Sequence, residues 1–226
     1  MTAHPPTGLA AVFFDLDGTL IESADVWDDA VRVLARTRGV EATEAILART
    51  HGLEVMQAMH LLHEEFGWPP DGLLADAAWV AQRAADTFRR GVILRPGAKV
   101  LLAKLRAAGV PTALVTSSYR EVVEIVLDSL GRANFDAVVC GDEVDSPKPD
   151  PEPYLTAARL LDVDIRACIA IEDSPKGAAS ARASGCTVLY VSEPDTYTNA
   201  HAVTDSLVEI DPITLARLVR HASGWP

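Results

Sequence analysis

The chain has 226 residues, of which 49% are hydrophobic, and its 20 lysines and arginines against 32 acids give a net charge of −12 at pH 7. This length and apolar content can bury one domain of ordinary size or two small ones. The negative charge argues against nucleic acid or an anionic membrane as a general partner. No run of 18 apolar residues occurs, and residues 1–8 show neither a basic leader nor an apolar signal core, so we expect a cytoplasmic protein with no membrane partner.

Five short apolar runs, rich in β-branched or aromatic residues, predict β-strands. None alternates cleanly between polar and apolar residues, which is typical of strands buried on both faces of a parallel sheet. Helical patterns fill the intervals, and this alternation predicts an α/β fold, a Rossmann-like parallel sheet with helices on both faces. The predicted strands are 11–15, 112–116, 137–140, 168–171 and 187–191, and the helical patterns include 98–108, 119–130 and 151–161.

The spacing of the strands indicates an insertion after the first one. Later strands begin 25, 31 and 19 residues apart, about one βαβ repeat, whereas the first two begin 101 residues apart. Residues 22–91 contain no strand-like run, and their apolar residues recur at helical spacing. We therefore predict an all-helical cap domain at 22–91, inserted into a core domain formed by 1–21 and 92–226.

Several side chains suggest only structural roles when they are taken alone. The cysteines lie far apart in apolar runs, which is typical of buried thiols rather than of disulfides or metal ligands. Within the insert, a tryptophan and two methionines fit the apolar core, and three histidines are expected to be packed or solvated. These residues are Cys140, Cys168, Cys186, Trp27, Met56, Met59, His51, His60 and His63.

Acids and hydroxyls follow three of the predicted strands where they end. Because parallel strands point one way, these residues meet at one edge of the sheet, where open α/β folds bind ligands. Clustered carboxylates repel each other and need a cation, and an all-oxygen ligand set favours Mg²⁺, which also binds substrate phosphate. We therefore predict a site for metal-assisted phosphoryl chemistry, with the loop acids Asp142 and Glu143 solvated outside it. The residues expected at this edge are 15–19, 116–118, 141–143, Glu172 and Asp173, and the site is predicted to contain Asp15, Asp17, Thr116, Ser117, Glu172 and Asp173.

A predicted helix N-terminus supplies a first phosphate-binding feature. Ser118 stands three residues before Glu121, a pattern that predicts a capping box. Thr116 and Ser117 would then lie just before a helix N-terminus, whose free N–H groups favour an anion.

A second helix and a lysine add to this chemistry. The helix is expected to open at Ser174, with Pro175 in its first turn. Lys148 lies between Pro147 and Pro149, which hold the backbone extended, so its side chain should project from a stiff loop. Its charge would offset that of the carboxylates and the phosphate.

The motifs "DLDGTL", "LVTSS", "SPKPDPEPY" and "IAIEDSPKG" occur in this order, with the helical insertion after the first. Together they resemble the haloacid dehalogenase superfamily, in the branch of small phosphatases and β-phosphoglucomutase-like enzymes. The resemblance spans residues 12–191, and four motifs in order are far more specific than any one alone. It implies Mg²⁺ as cofactor and a phosphoaspartate intermediate.

The resemblance also implies a role for each residue. Asp15 resembles the nucleophile, and Asp17 the general acid/base that also gives its backbone carbonyl to Mg²⁺. Thr116 resembles the hydroxyl that holds the transferring phosphoryl group, and Lys148 the cation that bridges nucleophile and phosphate. The acidic pair resembles the metal site, with Asp173 the more direct ligand. The implied metal set is Asp15, Asp17, Glu172 and Asp173, and the phosphate set is Thr116, Ser117 and Lys148.

The chemistry of these residue types supports the same roles. A carboxylate can attack phosphorus and divide one hard displacement into two easier ones. If the chain stays extended, Asp17 falls on the same face as Asp15, where it can protonate the leaving alkoxide. We therefore predict a phosphatase that is Mg²⁺-dependent and hydrolyses a small phosphorylated metabolite, its partner in solution. The oligomeric state is left open, and a monomer is compatible with the sequence.

Other functions remain as alternatives. The first is a β-phosphoglucomutase-like intramolecular phosphotransferase acting on a sugar phosphate, and the second is a non-catalytic binding protein, which is weakened because no catalytic position is missing. Residues 22–91 contain no lysine, and Glu54 and Val55 follow Gly52 where related caps tend to carry an arginine. The insert thus argues against the mutase and against a phosphonate-cleaving role, and Asp17 argues against dehalogenation, which has no leaving alkoxide to protonate.

Overall fold

The computed structural model describes residues 8–192 and 200–222. The strands within these ranges are β1 (Ala11–Phe14), β2 (Thr112–Val115), β3 (Ala137–Val139), β4 (Cys168–Glu172), β5 (Thr187–Val191) and β6 (Ala202–Thr204). The helices are α1 (Ala24–Thr37), α2 (Glu44–Thr50), α3 (Val55–Phe66), α4 (Leu73–Arg90), α5 (Ala98–Ala107), α6 (Arg120–Leu130), α7 (Glu152–Leu161), α8 (Pro175–Ala183) and α9 (Pro212–Ala222).

The strands form one parallel sheet in the order β3-β2-β1-β4-β5-β6, which confirms the predicted Rossmann-like α/β fold. The five predicted strands are all present, with ends that differ by at most one residue. The sixth, β6, was missed because it is three residues long and only partly buried, so it lacks an apolar run. The strand order reverses between β1 and β4, the position at which such sheets open a crevice at their carboxyl ends.

Alternate residues of each strand pack on opposite faces of the sheet. Val12 and Phe14 join one core cluster with α5, α6 and α9, whereas Ala11 and Phe13 join another with α7 and α8. All four side chains are fully buried. Helices cover both faces, and this explains why the strands show no polar alternation.

The residues between β1 and α5 form four helices, α1 to α4, as the helical spacing predicts. These helices enclose their own buried cluster, to which Val31, Leu47, Met59 and Leu62 belong. The last turns of α4 pack instead on the sheet side, where Phe88 lies in the core cluster beside α5 and α6. The division into domains at residues 21 and 91 therefore stays a proposal.

Two local expectations have different outcomes. The capping box at Ser118 is wrong, because Tyr119 is the N-cap of α6 and makes no side-chain capping bond. The Ser118 hydroxyl instead donates to a distant carboxylate. Ser174 is the N-cap of α8, as predicted, and its hydroxyl accepts from the Gly177 amide at 3.0 Å.

The three cysteines are free and buried, as predicted. Within the described ranges, no helix combines the length and apolar content that a membrane span requires.

Candidate active site

The carboxyl ends of β1, β2 and β4 form the floor of a cavity of about 170 Å³. Asp15 follows β1, Thr116 follows β2 and Asp173 follows β4, and all three line this cavity with Lys148. The loops after the parallel strands thus gather residues that lie more than 150 positions apart in the chain, as the strand-end argument predicts.

Lys148 is the central cation of the floor. Its Nζ donates to Asp15 Oδ1 at 2.7 Å, to Glu172 Oε1 at 2.6 Å and to the Val115 carbonyl at 2.9 Å. Burial lowers the pKa of Lys148, but the charges of Asp15 and Glu172 outweigh burial and raise it overall. The buried ammonium therefore stays charged, and all three of its protons have acceptors.

Glu172 is fully buried and holds Lys148 from behind. The Tyr154 hydroxyl donates to the same Oε1 at 2.6 Å, and the Ser174 hydroxyl donates to Oε2 at 3.2 Å. A Cβ at Gly177, in the first turn of α8, would overlap the Glu172 carboxylate. Glu172 is thus fixed by the protein on every side.

Asp15, Glu172 and Asp173 offer carboxylate oxygens that all lie within 4.8 Å of one another. Burial, together with the neighbouring carboxylates, raises the pKa of Asp15 well above its usual range, despite the opposing charge of Lys148. The same causes raise the pKa of Asp173 to about 7. Because the set is all oxygen and mutually repulsive, it fits a hard divalent cation such as Mg²⁺.

Gly18 makes room for Asp173. Its φ of +79° lies in the left-handed region, and a Cβ there would overlap the Asp173 carboxylate. Thr19 approaches the same carboxylate, with its hydroxyl 3.4 Å from Asp173 Oδ1. The glycine after Asp17 is therefore required by close approach as well as by the turn.

Asp17 is held by two donors from different parts of the chain. Trp27 Nε1 donates to Oδ1 at 2.8 Å, and the Ser118 hydroxyl donates to Oδ2 at 2.6 Å. Trp27 packs against the core of the insert, as expected, and its ring also contacts Phe88 while its indole N–H reaches the site. The Asp17 side chain lies outside the three-carboxylate group, so its backbone carbonyl remains for the predicted metal role.

The loop after β2 supplies hydroxyls beside Asp15. Thr116 Oγ1 accepts from the Ser118 amide at 3.0 Å, which leaves its proton free to point at a substrate oxygen. Ser117 also lines the cavity, and its carbonyl packs so closely on Gly141 that a Cβ there would overlap it. This loop thus presents its polar side chains to the cavity.

Asp142 and Glu143 lie outside the carboxylate group, as predicted, but they are not simply solvated. Both carboxylates bind Arg120, Glu143 through two hydrogen bonds of 2.8 and 2.6 Å and Asp142 through the backbone amide at 3.0 Å. The Arg120 guanidinium lowers the pKa of Glu143. These acids stabilise the start of α6.

The insert forms the opposite wall of the cavity, and this wall is largely apolar. Its apolar contributors include Trp27, Val31, Leu53, Met59 and Val80, and its polar ones are Ser23, Thr50 and His51. The expectation for the histidines holds for His63, which is buried against Asp76 Oδ2 at 2.8 Å, and for exposed His60. His51 is also exposed, as expected, and it lines the cavity as well.

The sequence predicted the residues of the floor and placed Ser118 at the same edge, but it did not predict the contributions of Tyr154 and Trp27. Tyr154 stands inside the motif "SPKPDPEPY", six residues after Lys148, so its proximity had a signal. Trp27 had no such signal, because amphipathic spacing assigns it to packing, and His51 was expected to be packed or solvated.

Comparisons with known proteins agree with this geometry. The family described as "Hydrolase: haloacid dehalogenase-like hydrolase" matches residues 9–185. Hexitol phosphatase A of Escherichia coli (strain K12) is 32% identical over 204 residues, covering 90% of this chain and 93% of that protein. Validoxylamine A 7'-phosphate phosphatase of Streptomyces hygroscopicus subsp. limoneus is 35% identical over 174 residues, covering 76% and 80%.

A solved structure extends the likeness to the whole fold. β-Phosphoglucomutase from Clostridium difficile superposes with a TM-score of 0.86, covering 96% of this chain and 99% of that one, at 20% identity. The named relatives confirm the predicted enzyme class, a phosphatase. The chain belongs to the haloacid dehalogenase-like hydrolase family.

Proposed function

We propose that the protein is a Mg²⁺-dependent phosphatase that hydrolyses a small phosphorylated metabolite through a phosphoaspartate on Asp15. The observation that carries this proposal is the pairing of two carboxylates in different environments. Asp15 is buried against Lys148, and Asp17 is held by Trp27 and Ser118. The first is placed as a nucleophile and the second as a proton carrier.

The first chemical step uses the free oxygen of Asp15. Oδ1 accepts from Lys148, so Oδ2 is the oxygen available to attack phosphorus. The Oδ2–P bond forms as the bond from phosphorus to the leaving oxygen breaks, and protonated Asp17 gives its proton to that oxygen. An alcohol leaves the cavity.

The second step regenerates the carboxylate. Ionised Asp17 removes a proton from water, which attacks phosphorus as the Oδ2–P bond breaks. The products are inorganic phosphate, free Asp15 and protonated Asp17. The Thr116 hydroxyl and the Lys148 charge hold the phosphoryl oxygens through both steps.

Asp15, Asp173 and the Asp17 backbone carbonyl would hold Mg²⁺, with Glu172 behind them. The cation supplies charge neutralisation at the phosphoryl oxygens when it is bound. This assignment is supported by the 4.8 Å carboxylate group and by the raised pKa values of Asp15 and Asp173.

Residues 22–91 act as a cap in this proposal. Bonds between this segment and the rest of the chain support it: Tyr119 donates to Glu54 at 2.9 Å, and Lys176 donates to Gln57. A cap closed in this way excludes bulk water from the phosphoryl group. A cytoplasmic location and a monomeric state stay predictions.

Phosphate release from p-nitrophenyl phosphate tests the proposal. The parent protein should release phosphate with Mg²⁺ and lose that activity with a chelator, and re-addition of Mg²⁺ should restore it. Activity that is unchanged by the chelator would contradict the metal requirement. No release under any condition would contradict the phosphatase assignment.

The mutase alternative is favoured only by the fold likeness to β-phosphoglucomutase. A mutase must hold a bisphosphorylated intermediate, which needs cations on the cap. Residues 22–91 carry 12 acids and 7 arginines. None of these arginines lines the cavity, and Arg49, the nearest in sequence to Gly52, pairs with Glu65 at 2.6 Å.

Incubation with β-glucose 1-phosphate, Mg²⁺ and a priming bisphosphate separates the two activities. We expect inorganic phosphate or no reaction. Glucose 6-phosphate, detected with a coupled dehydrogenase, would instead support the mutase, and Arg49→Ala would then be the first variant to make.

A further inference from the structure

We propose that His51, oriented by Asp28, is a specificity-determining residue that accepts a hydrogen bond from a hydroxyl group on an uncharged leaving group. The inference deepens the proposed phosphatase function and rests on it. It assigns the end of the cavity opposite the carboxylates to a neutral, hydroxyl-bearing part of the substrate.

The tautomer of His51 follows from its partner. His51 ends α2, and its Nε2 lies 3.0 Å from Oδ1 of Asp28 on α1. The Asp28 side chain is only 10% exposed, whereas that of His51 is 47% exposed and lines the cavity. Because an ionised carboxylate only accepts, a neutral His51 ring carries its proton on Nε2, and its Nδ1 is then an acceptor.

Nδ1 can therefore accept a hydrogen bond from a donor group of the substrate. Within residues 8–192 and 200–222, no hydrogen bond to this atom is formed. A substrate hydroxyl can donate to it, whereas a carboxylate or a second phosphate would face its lone pair with the Asp28 charge behind the ring. The Asp28–His51 pair thus favours neutral donors over anions.

The rest of the wall agrees with a neutral group. Val31, Leu53 and Met59 present apolar surface to the cavity, and no arginine or lysine of residues 22–91 reaches it. Those arginines are mostly paired elsewhere, for example Arg32 with Glu44 at 2.7 Å and Arg83 with Asp29 at 2.9 Å. A distal anion would lose its hydration with no cation to replace it.

The loop that carries His51 is fixed relative to the floor. Gly52 has a φ of +70°, and a Cβ there would come within 3.2 Å of the Ser174 Cβ at the start of α8. Ser174 also bonds Glu172, which holds Lys148. The packing of Gly52 on Ser174 therefore connects the loop that carries His51 to the floor, and we expect a substrate to be selected by where its hydroxyl lies.

The test compares substrates that share charge and chain length but differ in hydroxyl groups. The values of kcat/KM would be measured for sorbitol 6-phosphate, n-hexyl phosphate and p-nitrophenyl phosphate. The parent should prefer sorbitol 6-phosphate to hexyl phosphate. His51→Ala should reduce that preference by about tenfold, the usual worth of one hydrogen bond, and should lower kcat/KM for p-nitrophenyl phosphate less than that for sorbitol 6-phosphate.

Asp28→Asn tests the orientation of the ring. An amide N–H can donate to Nε2, which moves the ring proton to Nδ1 and removes the acceptor, so this variant should lose the same preference. His60→Ala, on the exposed face of α3, is the matched control and should keep it.

Four outcomes would overturn the role of His51. They are a parent that shows no preference for sorbitol 6-phosphate, equal loss on all three substrates in His51→Ala, an Asp28→Asn variant that keeps the parent's preference, and turnover of fructose 1,6-bisphosphate or phosphoglycolate as efficient as that of sorbitol 6-phosphate. Failure of the parent to hydrolyse even p-nitrophenyl phosphate is a different result, since it would overturn the phosphatase proposal itself.

Discussion

The floor and the wall of the cavity are built on opposite principles. The floor places charged groups in complete burial, where Lys148 is 4% exposed and Glu172 is not exposed at all. The wall, contributed by residues 22–91, presents apolar side chains to the cavity and keeps most of its ion pairs on the outer surface. The same cavity is therefore electrostatic at one end and mostly hydrophobic at the other.

The difference teaches where sequence change is tolerated. A buried charge that loses its partner costs several kcal/mol, so every member of the floor depends on the others. Exposed ion pairs of the wall contribute about 0–1 kcal/mol each, and apolar residues there can exchange for others of similar volume. We therefore expect substitutions in the floor to abolish the reaction and substitutions in the wall to change which substrate is accepted.

The most severe break in the floor should be Asp15→Asn. An amide is a poor nucleophile, so we expect kcat for p-nitrophenyl phosphate to fall by roughly 10⁴-fold or more. The exposed loop variant Asp145→Asn is the control and should behave as the parent. Activity within about tenfold of the parent would rule out a phosphoaspartate on this residue.

Lys148→Met should lower both the stability and the activity of the protein. It leaves Asp15 and Glu172 buried without a cation, which should lower the free energy of unfolding by about 3 kcal/mol or more in urea titrations without metal. Adding Glu172→Gln should recover part of that loss without restoring activity. If the double variant is no more stable than Lys148→Met alone, the charges of Lys148 and Glu172 do not stabilise each other. Lys99→Met, at an exposed position, should be neutral.

Asp173→Asn tests whether the carboxylates of the floor make stability depend on pH and on Mg²⁺. In the folded protein its pKa is about 7, whereas an unfolded aspartate ionises near 4, so the metal-free protein should lose stability as pH rises from about 4 to 7. Added Mg²⁺ should raise the melting temperature most at the upper end of this range.

The variant should show a flatter pH dependence of melting temperature and a much smaller Mg²⁺ effect. Glu143→Gln is the control, since Glu143 pairs with Arg120 outside the carboxylate group. Equal Mg²⁺ titrations for the two variants would place the metal elsewhere.

Trp27→Phe should give the smallest effect, and it tests the hydrogen bond between Trp27 on the wall and Asp17 on the floor. Without the indole N–H, Asp17 loses one of two donors, and protonation of a poor leaving group should suffer most. We expect kcat/KM to fall by about 10-fold for hexyl phosphate and by less than about 3-fold for p-nitrophenyl phosphate, whose leaving group needs no proton. Trp79→Phe, on α4, is the control. Equal falls for both substrates would assign Trp27 to packing alone.

The sequence by itself determined the parallel sheet and most of the floor. Strand composition and spacing predicted five of the six strands found in the described ranges, and the floor residues lie at strand ends or in one stiff loop. Their positions follow from local rules, because a residue just past a parallel strand must lie at the carboxyl edge whatever the helices do. Asp15, Thr116 and Asp173 needed no knowledge of packing.

Only the tertiary structure decided which side chains meet across the cavity. Apolar periodicity shows which face of a helix is buried, but not the rotation and height at which that helix packs on its neighbours. The bonds of Trp27 and Ser118 to Asp17, and that of His51 to Asp28, depend on those values within a few tenths of an ångström. The polar tips of residues assigned to packing or caps thus became part of the site.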